Sequence, residues 1–351
     1  MTGNAAIAEA AIRAGCQCYF GYPITPQTEL TEYMAANLSR RPGCTFIQAE
    51  SEIAAINMVL GASVTGARAM TSSSSPGMSL KQEGISYMAA SQLPAVIVNM
   101  SRGGPGLGSI AAAQSDYFQS TRGGGHGDYR TIVLAPSSVQ ELADATHRAF
   151  ELTEKYSIPV ILLGDGMLGQ MMEPVEFKHE APAVPPVRPN GLRGAKGRPS
   201  RFIRSFTSNP AELEELNWSL YRRYQQVQEN ETTCENFMTD DAQLIVTAFG
   251  IAARIAKGAI TNARAQGMKV GMFRPVTLWP FPKQQLKDLS QKTKYFLDFE
   301  MNMGQMIDDV KLSLEGSGDV TFYGRPGGVV PTSSEVQRVI TRLYYQKGLN
   351  G

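Results

Sequence analysis

Short apolar runs alternate with longer amphipathic stretches over the first half of the chain. The runs predict strands at 18–20, 45–48, 67–72, 95–100, 132–135 and 159–163. Helices are predicted between several of them, with a first helix through Ile7, Ala11 and Ile12 and others at 51–64, 79–91 and 137–156. Apolar strands separated by helices are typical of a parallel sheet that is covered on both faces. Residues 1–172 are therefore predicted to form an α/β domain.

The pattern changes after Gln170. Residues 173–204 hold six prolines and seven Lys or Arg residues with little periodicity, which predicts an extended basic linker. One helix is predicted to begin at Asn209, with apolar residues on one face up to Val227. The segment 173–240 is thus interpreted as a proline-rich linker with one helix.

A second α/β unit is predicted for residues 241–351. Its predicted strands lie at 244–247, 270–273, 295–299 and 320–323, and its predicted helices at 250–266 and 304–315. A chain of 351 residues has room for two cores, which agrees with two domains. The predicted fold class is therefore α/β, with two parallel-sheet domains.

Charge and composition narrow the possible locations and partners. The formal net charge is +1, which gives no basic surface for nucleic acid, and no apolar run is long enough to span a bilayer. The first residues lack the basic and apolar regions of a secretory signal. We therefore expect a cytoplasmic protein that binds neither nucleic acid nor a membrane.

The cysteine and histidine residues do not form a metal-binding pattern. No CxxC pair occurs, so we interpret the cysteines as buried, reduced thiols and expect neither an iron–sulfur cluster nor a zinc site in this chain. The cysteines are Cys16, Cys18, Cys44 and Cys234.

A strand-to-helix turn is predicted at residues 21–26, with the sequence GYPITP. Thr25 followed by Pro26 is typical of a helix start, with a hydroxyl N-cap and then proline at the first helical position. Such a turn directs free N–H groups and a hydroxyl to one place, which suits an anion. An ordinary helix cap in an α/β domain has the same pattern.

Two charged residues could carry chemistry. Glu52 precedes a largely apolar helix, so its carboxyl group is expected to lie away from water, whereas Glu50 in the same turn serves as a comparison. The simpler interpretation of Glu52 is a carboxylate at a helix N-terminus, which stabilises by ~0.3–1 kcal/mol. Arg102 follows a predicted strand and opens a glycine-rich loop, where ligands bind in open α/β sheets. It could hold a carboxylate with two parallel donors, or it could be a solvated loop arginine.

These segments resemble the α-type subunit of the 2-oxoacid:ferredoxin oxidoreductases, which are thiamine-diphosphate enzymes. Residues 21–26, 48–55 and 99–106 resemble, in order, the family's first motif, its pyrimidine-binding glutamate segment and its substrate-arginine loop. Residues 274–282 and 300–305 resemble its second domain, which is related to the C-terminal domain of transketolase. The resemblance implies a pyrimidine-binding fold followed by a transketolase C-terminal-like fold.

The resemblance also implies roles for single residues. Glu52 would bond to N1′ of the cofactor's aminopyrimidine and activate the cofactor, and Thr25 and Arg102 would hold the carboxylate of a 2-oxoacid. Residues 71–77 resemble a loop beside the cofactor, with Ser75 where many members have glycine. The further cofactor-contacting positions would be Ile24, Ser74 and Ser75.

The resemblance places the rest of the cofactor site on other chains. Residues 164–166 (Gly-Asp-Gly) resemble the motif with which thiamine enzymes bind Mg²⁺ and diphosphate, and Asn190 lies downstream. The intervening proline-rich residues could not form the helix that this motif requires, so we interpret the segment as a turn that closes the first domain. The implied partners are a β-type subunit with the diphosphate and Mg²⁺, a γ-type subunit, a ferredoxin-like [4Fe–4S] subunit or domain, and external ferredoxin.

The implied reaction is the oxidative decarboxylation of a 2-oxoacid, with coenzyme A as co-substrate. The glycine-rich loops at 103–108 and 123–128 resemble the branched-chain (2-oxoisovalerate) members, whereas a 2-oxoglutarate or aromatic substrate stays open. The loop at 103–108 does not match GxGxxG, because its third glycine comes one position early. His126 in the second loop could be a base or an ordinary hydrogen-bonded histidine.

Two other functions fit part of the pattern. A transketolase-like or dehydrogenase E1 subunit would use thiamine diphosphate without ferredoxin, but the Arg102 loop and the basic linker argue against it. A non-catalytic scaffold subunit would not need an intact set of Thr25, Glu52 and Arg102.

Overall fold

The computed structural model describes residues 1–183, 186–189 and 191–349, so Asn190 lies outside the described residues. Within these ranges the chain forms two sheets of seven and five strands. The strands are β1 (Cys18–Gly21), β2 (Thr45–Gln48), β3 (Ala69–Ser73), β4 (Val96–Ser101), β5 (Ile132–Leu134), β6 (Val160–Asp165), β7 (Cys234–Phe237), β8 (Leu244–Thr247), β9 (Val270–Pro275), β10 (Thr277–Trp279), β11 (Tyr295–Glu300) and β12 (Asp319–Gly324).

Helices cover the faces of both sheets. They are α1 (Gly3–Arg13), α2 (Thr28–Asn37), α3 (Glu52–Val64), α4 (Ser75–Ala90), α5 (Tyr117–Arg122), α6 (Val139–Tyr156), α7 (Gly166–Gln170), α8 (Pro210–Glu231), α9 (Gly250–Ala265), α10 (Lys283–Ser290), α11 (Met306–Leu314) and α12 (Ser333–Gln346). Helix α1 packs on α6, α3 on α4, and α9 on α12. No helix among the described residues is long and apolar enough to cross a membrane.

Both sheets are mainly parallel, which confirms the predicted α/β class. The first has the order β10-β5-β6-β4-β3-β1-β2 and the second the order β12-β11-β8-β9-β7. Strands β3, β4 and β6 are buried along their whole length, as expected for a sheet that is covered on both faces. Each sheet ends in one antiparallel strand, β10 beside β5 and β7 beside β9.

These two antiparallel strands were not predicted. Strand β7 lies in the segment 173–240 that was interpreted as a linker with one helix, and β10 comes from the second half of the chain but extends the first sheet. Both are short, with four and three residues, so neither carries enough periodicity to be recognised. The division at 1–172, 173–240 and 241–351 stays a prediction.

Two predictions of local structure, for residues 25–26 and 71–77, were wrong. Helix α2 begins at Thr28, with Gln27 in the cap position, so Thr25 and Pro26 form part of a turn and do not start the helix. The buried amide of Gln27 holds this turn because it donates to the Tyr22 carbonyl at 3.4 Å and accepts from the Ser72 hydroxyl. Residues 71–77 are not a loop, because β3 ends at Ser73 and α4 begins at Ser75.

The cysteines are free thiols, but only part of the prediction about them holds. Cys16 is buried, whereas Cys18, Cys44 and Cys234 are partly exposed. Burial raises the pKa of all four thiols, so they stay largely protonated at neutral pH.

Gln114 joins the two domains. Its side-chain amide donates to the carbonyl of Phe249 at 2.8 Å and accepts from the N–H of Met301 at 3.1 Å. Its backbone N–H donates to the Met301 carbonyl at 3.0 Å, and its carbonyl accepts from the Asn302 amide at 2.9 Å. Four hydrogen bonds from one buried residue therefore fasten the first domain to the carboxyl edge of the second sheet.

Gln114→Ala is expected to destabilise the protein by roughly 2–6 kcal/mol, because two buried backbone groups at Phe249 and Met301 lose their partners at about 1–3 kcal/mol each. The control is Gln284→Ala on the exposed face of α10, where a change within about 0.5 kcal/mol is expected. Denaturant unfolding of both variants checks this, and equal stabilities would contradict the role of Gln114.

Candidate active site

The candidate site lies at one edge of the first sheet. Strands β4, β3, β1 and β2 are neighbours in that order, and all run in the same direction. The segments that follow these four strands carry Arg102, Ser74, Thr25 and Glu52, respectively. Because the carboxyl ends of parallel strands meet at one edge, the sheet brings residues together from four distant parts of the chain.

Glu52 is the first residue of α3, and its side chain is buried. The Ser51 hydroxyl caps this helix by accepting from the Ala54 N–H at 3.2 Å. Glu52 is 6% exposed, whereas Glu50, two residues earlier, is exposed. Among the residues that the structure describes, no group donates a hydrogen bond to the Glu52 carboxylate. The Glu52 oxygens are not among the fully buried atoms that lack a partner, so they keep contact with solvent and a ligand could reach them.

Helix α4 approaches this carboxylate closely at Gly77. A Cβ at this position would overlap the hydroxyl of Ser73 and lie 2.5 Å from Oε1 of Glu52. Only glycine therefore allows the first turn of α4 to lie against the Glu52 side chain.

Arg102 and Thr25 are brought together directly. Arg102 is 6% exposed, and one terminal nitrogen of its guanidinium group donates to the Thr25 carbonyl at 2.8 Å. The other donates to the Leu107 carbonyl at 3.1 Å, while Nε is buried without a partner. The exposed Thr25 hydroxyl has no hydrogen-bond partner within the described ranges, so both residues keep donors for a ligand.

The loop after Arg102 turns back on itself. Gly108 has a φ of +64°, and a Cβ there would overlap the carbonyl oxygen of Gly103. This reversal requires glycine, and it places the Leu107 carbonyl against the guanidinium group.

A buried network fixes the backbone of Arg102. The Ser75 hydroxyl accepts from the Arg102 N–H at 3.0 Å and donates to Asp116 Oδ2 at 2.6 Å, and the Asn99 amide donates to the same oxygen at 2.9 Å. Burial raises the pKa of Asp116, and these two hydrogen bonds oppose the rise. The Ser75 hydroxyl is thus already engaged, so any ligand contact of Ser75 would use its other atoms.

Several other buried polar atoms at this edge have no partner. An unpaired buried polar group costs about 1–3 kcal/mol, so such a cluster indicates a polar ligand or ordered water. The atoms are Ser73 Oγ, Ser74 Oγ, Asn99 Oδ1 and Ser101 Oγ.

Three other predicted positions have surroundings unlike those of Glu52, Arg102 and Thr25. Ile24 is partly buried in the turn, where its carbonyl accepts from the Gln27 N–H at 3.1 Å. His126 is exposed on its loop. Asp165 ends β6 and caps α7 by accepting from the N–H groups of Met167 and Leu168 at 3.0 and 3.1 Å.

The Asp165 carboxyl group therefore already accepts hydrogen bonds from the chain's own backbone. Burial raises its pKa to about 6. In the part of the chain that the structure describes, no group of three or more His, Cys, Asp or Glu side chains is arranged to hold a metal ion.

Sequence reasoning missed Asp116 and Lys81. Asp116 lies between the predicted elements, with no local pattern to mark it. Lys81 is fully buried on α4, one turn after Gly77 and one turn before the buried Ile85. A lysine at an apolar position of a helical pattern was the available signal.

Two family models together match most of the chain. Residues 9–236 match the thiamine-diphosphate-binding domain of pyruvate flavodoxin/ferredoxin oxidoreductase, and residues 242–336 match core domain II of pyruvate:ferredoxin oxidoreductase.

Two relatives match over nearly their full length. The chain is 47% identical to ketoisovalerate oxidoreductase subunit VorB of Methanothermobacter marburgensis, covering 97% of this chain and 96% of that protein. It is 36% identical to 2-oxoglutarate synthase subunit KorA of Methanothermobacter thermautotrophicus, covering 97% of each.

Solved structures agree with these matches. A 2-oxoglutarate:ferredoxin oxidoreductase from Magnetococcus marinus, solved with 2-oxoglutarate, coenzyme A and succinyl-CoA, superposes with a TM-score of 0.82 at 27% identity, over 97% of this chain and 64% of that one. A split-gene transketolase shares the fold, with a TM-score of 0.61 at 14% identity. The predicted resemblance is confirmed by the domain matches, the relatives and the fold together: the chain belongs to the 2-oxoacid:ferredoxin oxidoreductases.

Proposed function

We propose that this chain supplies the pyrimidine half of a thiamine-diphosphate site in a complex that oxidises a branched-chain 2-oxoacid. The products are an acyl-CoA and CO₂, and the electrons pass to ferredoxin. The observation that carries the proposal is the buried Glu52 carboxylate without a donor, at the same sheet edge as Arg102. The matched thiamine-diphosphate-binding domain and the ketoisovalerate oxidoreductase relative support it.

The residues at this edge fit the cofactor. When bound, thiamine diphosphate supplies a carbon nucleophile for the keto group of the substrate. Glu52 would share a proton with N1′ of the aminopyrimidine, which requires a carboxylate that no protein donor already occupies. Ile24, Ser74 and Ser75 would line the pyrimidine, and the unpaired Ser74 hydroxyl is available as a donor or acceptor.

Arg102 and Thr25 would bind the substrate carboxylate. Arg102 is buried and forms no direct ion pair among the described residues, although the charge of the nearby Asp116 carboxylate acts on it from farther away. Its Nε–H is an unpaired donor, and the Thr25 side chain is exposed. An anionic substrate group would satisfy both the charge and this donor.

The loop after Arg102 favours an apolar substrate side chain. Leu107 and Ile110 are 81% and 67% exposed on this loop, which is an unfavourable position for large apolar groups unless a ligand or partner covers them. Residues 103–110 contain no cationic side chain that could pair with a second carboxylate. A branched-chain 2-oxoacid therefore fits better than 2-oxoglutarate.

Partner chains would complete the site. Ile53 on α3 follows Glu52 directly, and Leu80 on α4 lies within one turn of Gly77. Both apolar side chains are about half exposed, and a subunit interface would bury them. The proposed partners are a β-type subunit that binds the diphosphate and Mg²⁺, a γ-type subunit, a ferredoxin-like [4Fe–4S] subunit or domain, and external ferredoxin. The proposed location of the complex is the cytoplasm.

Glu52→Gln is expected to lower H/D exchange at C2 of the bound cofactor by ~10²–10⁴-fold, because the amide cannot take the shared proton. Glu50→Gln is the matched control: this exposed residue lies two positions away, so exchange should stay within a few-fold of wild type. Exchange is measured by NMR in the assembled complex. Wild-type exchange in Glu52→Gln would refute the assignment, and with it the catalytic role of this chain.

Arg102→Ala is expected to cost about 2–5 kcal/mol of transition-state binding, which corresponds to roughly 30- to 4,000-fold in kcat/KM. Arg102→Lys should also be damaging, because it loses the two-donor fork. The exposed Arg40 provides a control, since Arg40→Ala should leave turnover unchanged. Steady-state kinetics test this, and an unchanged kcat/KM in Arg102→Ala would rule out the substrate contact.

The complex is expected to prefer 2-oxoisovalerate over 2-oxoglutarate by roughly 10²-fold in kcat/KM, because a second carboxylate would face the apolar side chains of Leu107 and Ile110 in the covered site without a cation of its own, at about 3 kcal/mol or more. Ferredoxin-linked assays with both acids measure the ratio. Equal turnover of the two acids would contradict the substrate assignment while leaving the role of Glu52 untouched.

A further inference from the structure

A lysine is buried directly behind Glu52. Lys81 on α4 has no exposed surface, and its Nζ donates to Thr71 Oγ1 at 3.1 Å and to the backbone carbonyl of Glu52 at 3.4 Å. Thr71 belongs to β3 and Glu52 begins α3, so one ammonium group links three elements at the candidate site.

Burial of the Lys81 ammonium group is unfavourable for the stability of the fold. Moving an ammonium group out of water costs several kcal/mol unless strong partners compensate, and Lys81 has two neutral acceptors for three donors. Burial lowers its pKa to about 8, and the charge of Glu52 opposes that change. The group thus stays largely protonated at neutral pH. An apolar side chain at this position of α4 would pack without that cost, which indicates that the charge has a use.

The elements packed around Lys81 and Glu52 carry few other ionisable groups among the described residues. Glu52 from α3 is the charged group that acts on Lys81 within the described residues. Strands β3 and β4 carry no ionisable side chain. On β1, which packs against α3, burial raises the pKa of Cys18, and it raises the pKa of Tyr19 to about 12. Glu83 on α4 is exposed. Lys81 and Glu52 are therefore two buried residues of opposite charge that influence each other electrostatically, while the hydrogen bond between them runs to the Glu52 backbone carbonyl.

We infer that Lys81 is a positioning residue for Glu52: it holds the start of α3 through the Glu52 carbonyl, and it places a positive charge near the proton that Glu52 and N1′ of the cofactor would share. This inference rests on the proposed function, because it concerns the proton that Glu52 would share with N1′. The ammonium contacts the backbone of Glu52, so it orders the residue without competing for the carboxylate face that would meet the cofactor. Lys81 itself transfers no proton.

A substitution at Lys81 tests whether its positive charge, and not only its packing, affects the Glu52–cofactor pair. Lys81→Met keeps the length and apolar stem of the side chain but removes the charge. In the assembled complex, thiamine-diphosphate affinity is measured by calorimetry and C2 exchange by NMR, each as a function of pH. The midpoint of both pH curves is expected to rise by about one unit, because loss of the neighbouring positive charge lets the Glu52–cofactor pair keep its proton to higher pH.

Two further variants separate the charge of Lys81 from its hydrogen bonds. Thr71→Val removes a hydrogen-bond acceptor of Lys81 but not the charge, so its midpoints should stay within about 0.3 unit of wild type. Lys81→Arg keeps the charge and should also retain the wild-type midpoints. If Lys81→Met leaves both midpoints in place, or if Lys81→Arg shifts them as far as Lys81→Met does, Lys81 is only structural and the inference is wrong.

The failure of this inference is distinguishable from failure of the proposed function. If Glu52→Gln lowers C2 exchange while Lys81→Met leaves the pH curves unchanged, the proposed function stands and the role of Lys81 is refuted. If Glu52→Gln exchanges at the wild-type rate, the proposed function itself fails, and the role of Lys81 in it fails too.

Discussion

The close approach between the first turn of α4 and the Glu52 carboxylate is the constraint on which the candidate site depends. A Cβ at position 77 would overlap the Ser73 hydroxyl and crowd the Glu52 carboxylate, so both side chains would have to move away. If the two helices were farther apart, Lys81, one turn along α4, would lose its contact with the Glu52 carbonyl. A single glycine therefore keeps the first turn of α4 against Glu52, and it allows Lys81 on the next turn to reach the Glu52 carbonyl.

The second domain acts on the same sheet edge through a relay of hydrogen bonds. Gln114 is fastened to the second sheet, and Asp116, two residues later, accepts from Ser75 and Asn99. Ser75 in turn holds the N–H of Arg102. The position of the proposed substrate arginine thus depends on contacts that begin in the other domain. One loop, which carries Gln114 and Asp116, therefore contacts both the second domain and the network at the site.

Sequence reasoning singled out Glu52 and Arg102 as candidates because each lies in a segment that resembles a motif of the family. It misplaced the start of α2, since Thr25 and Pro26 have the local chemistry of a helix start while the buried Gln27 amide holds the chain in a turn. Lys81 could not be assigned a role, because its partners lie on β3 and α3, and their proximity is a property of the packed fold.

The sequence by itself determined the α/β class, most strand positions and the family, and it pointed to Glu52 and Arg102 as candidate site residues. These follow from local periodicity and short motifs, which depend on neighbours within a few residues. The tertiary structure decided the order of the strands, the antiparallel edges at β7 and β10, and the burial of Lys81 and Asp116. These depend on contacts between residues far apart in the chain, whose energies arise only when the elements pack and water is excluded.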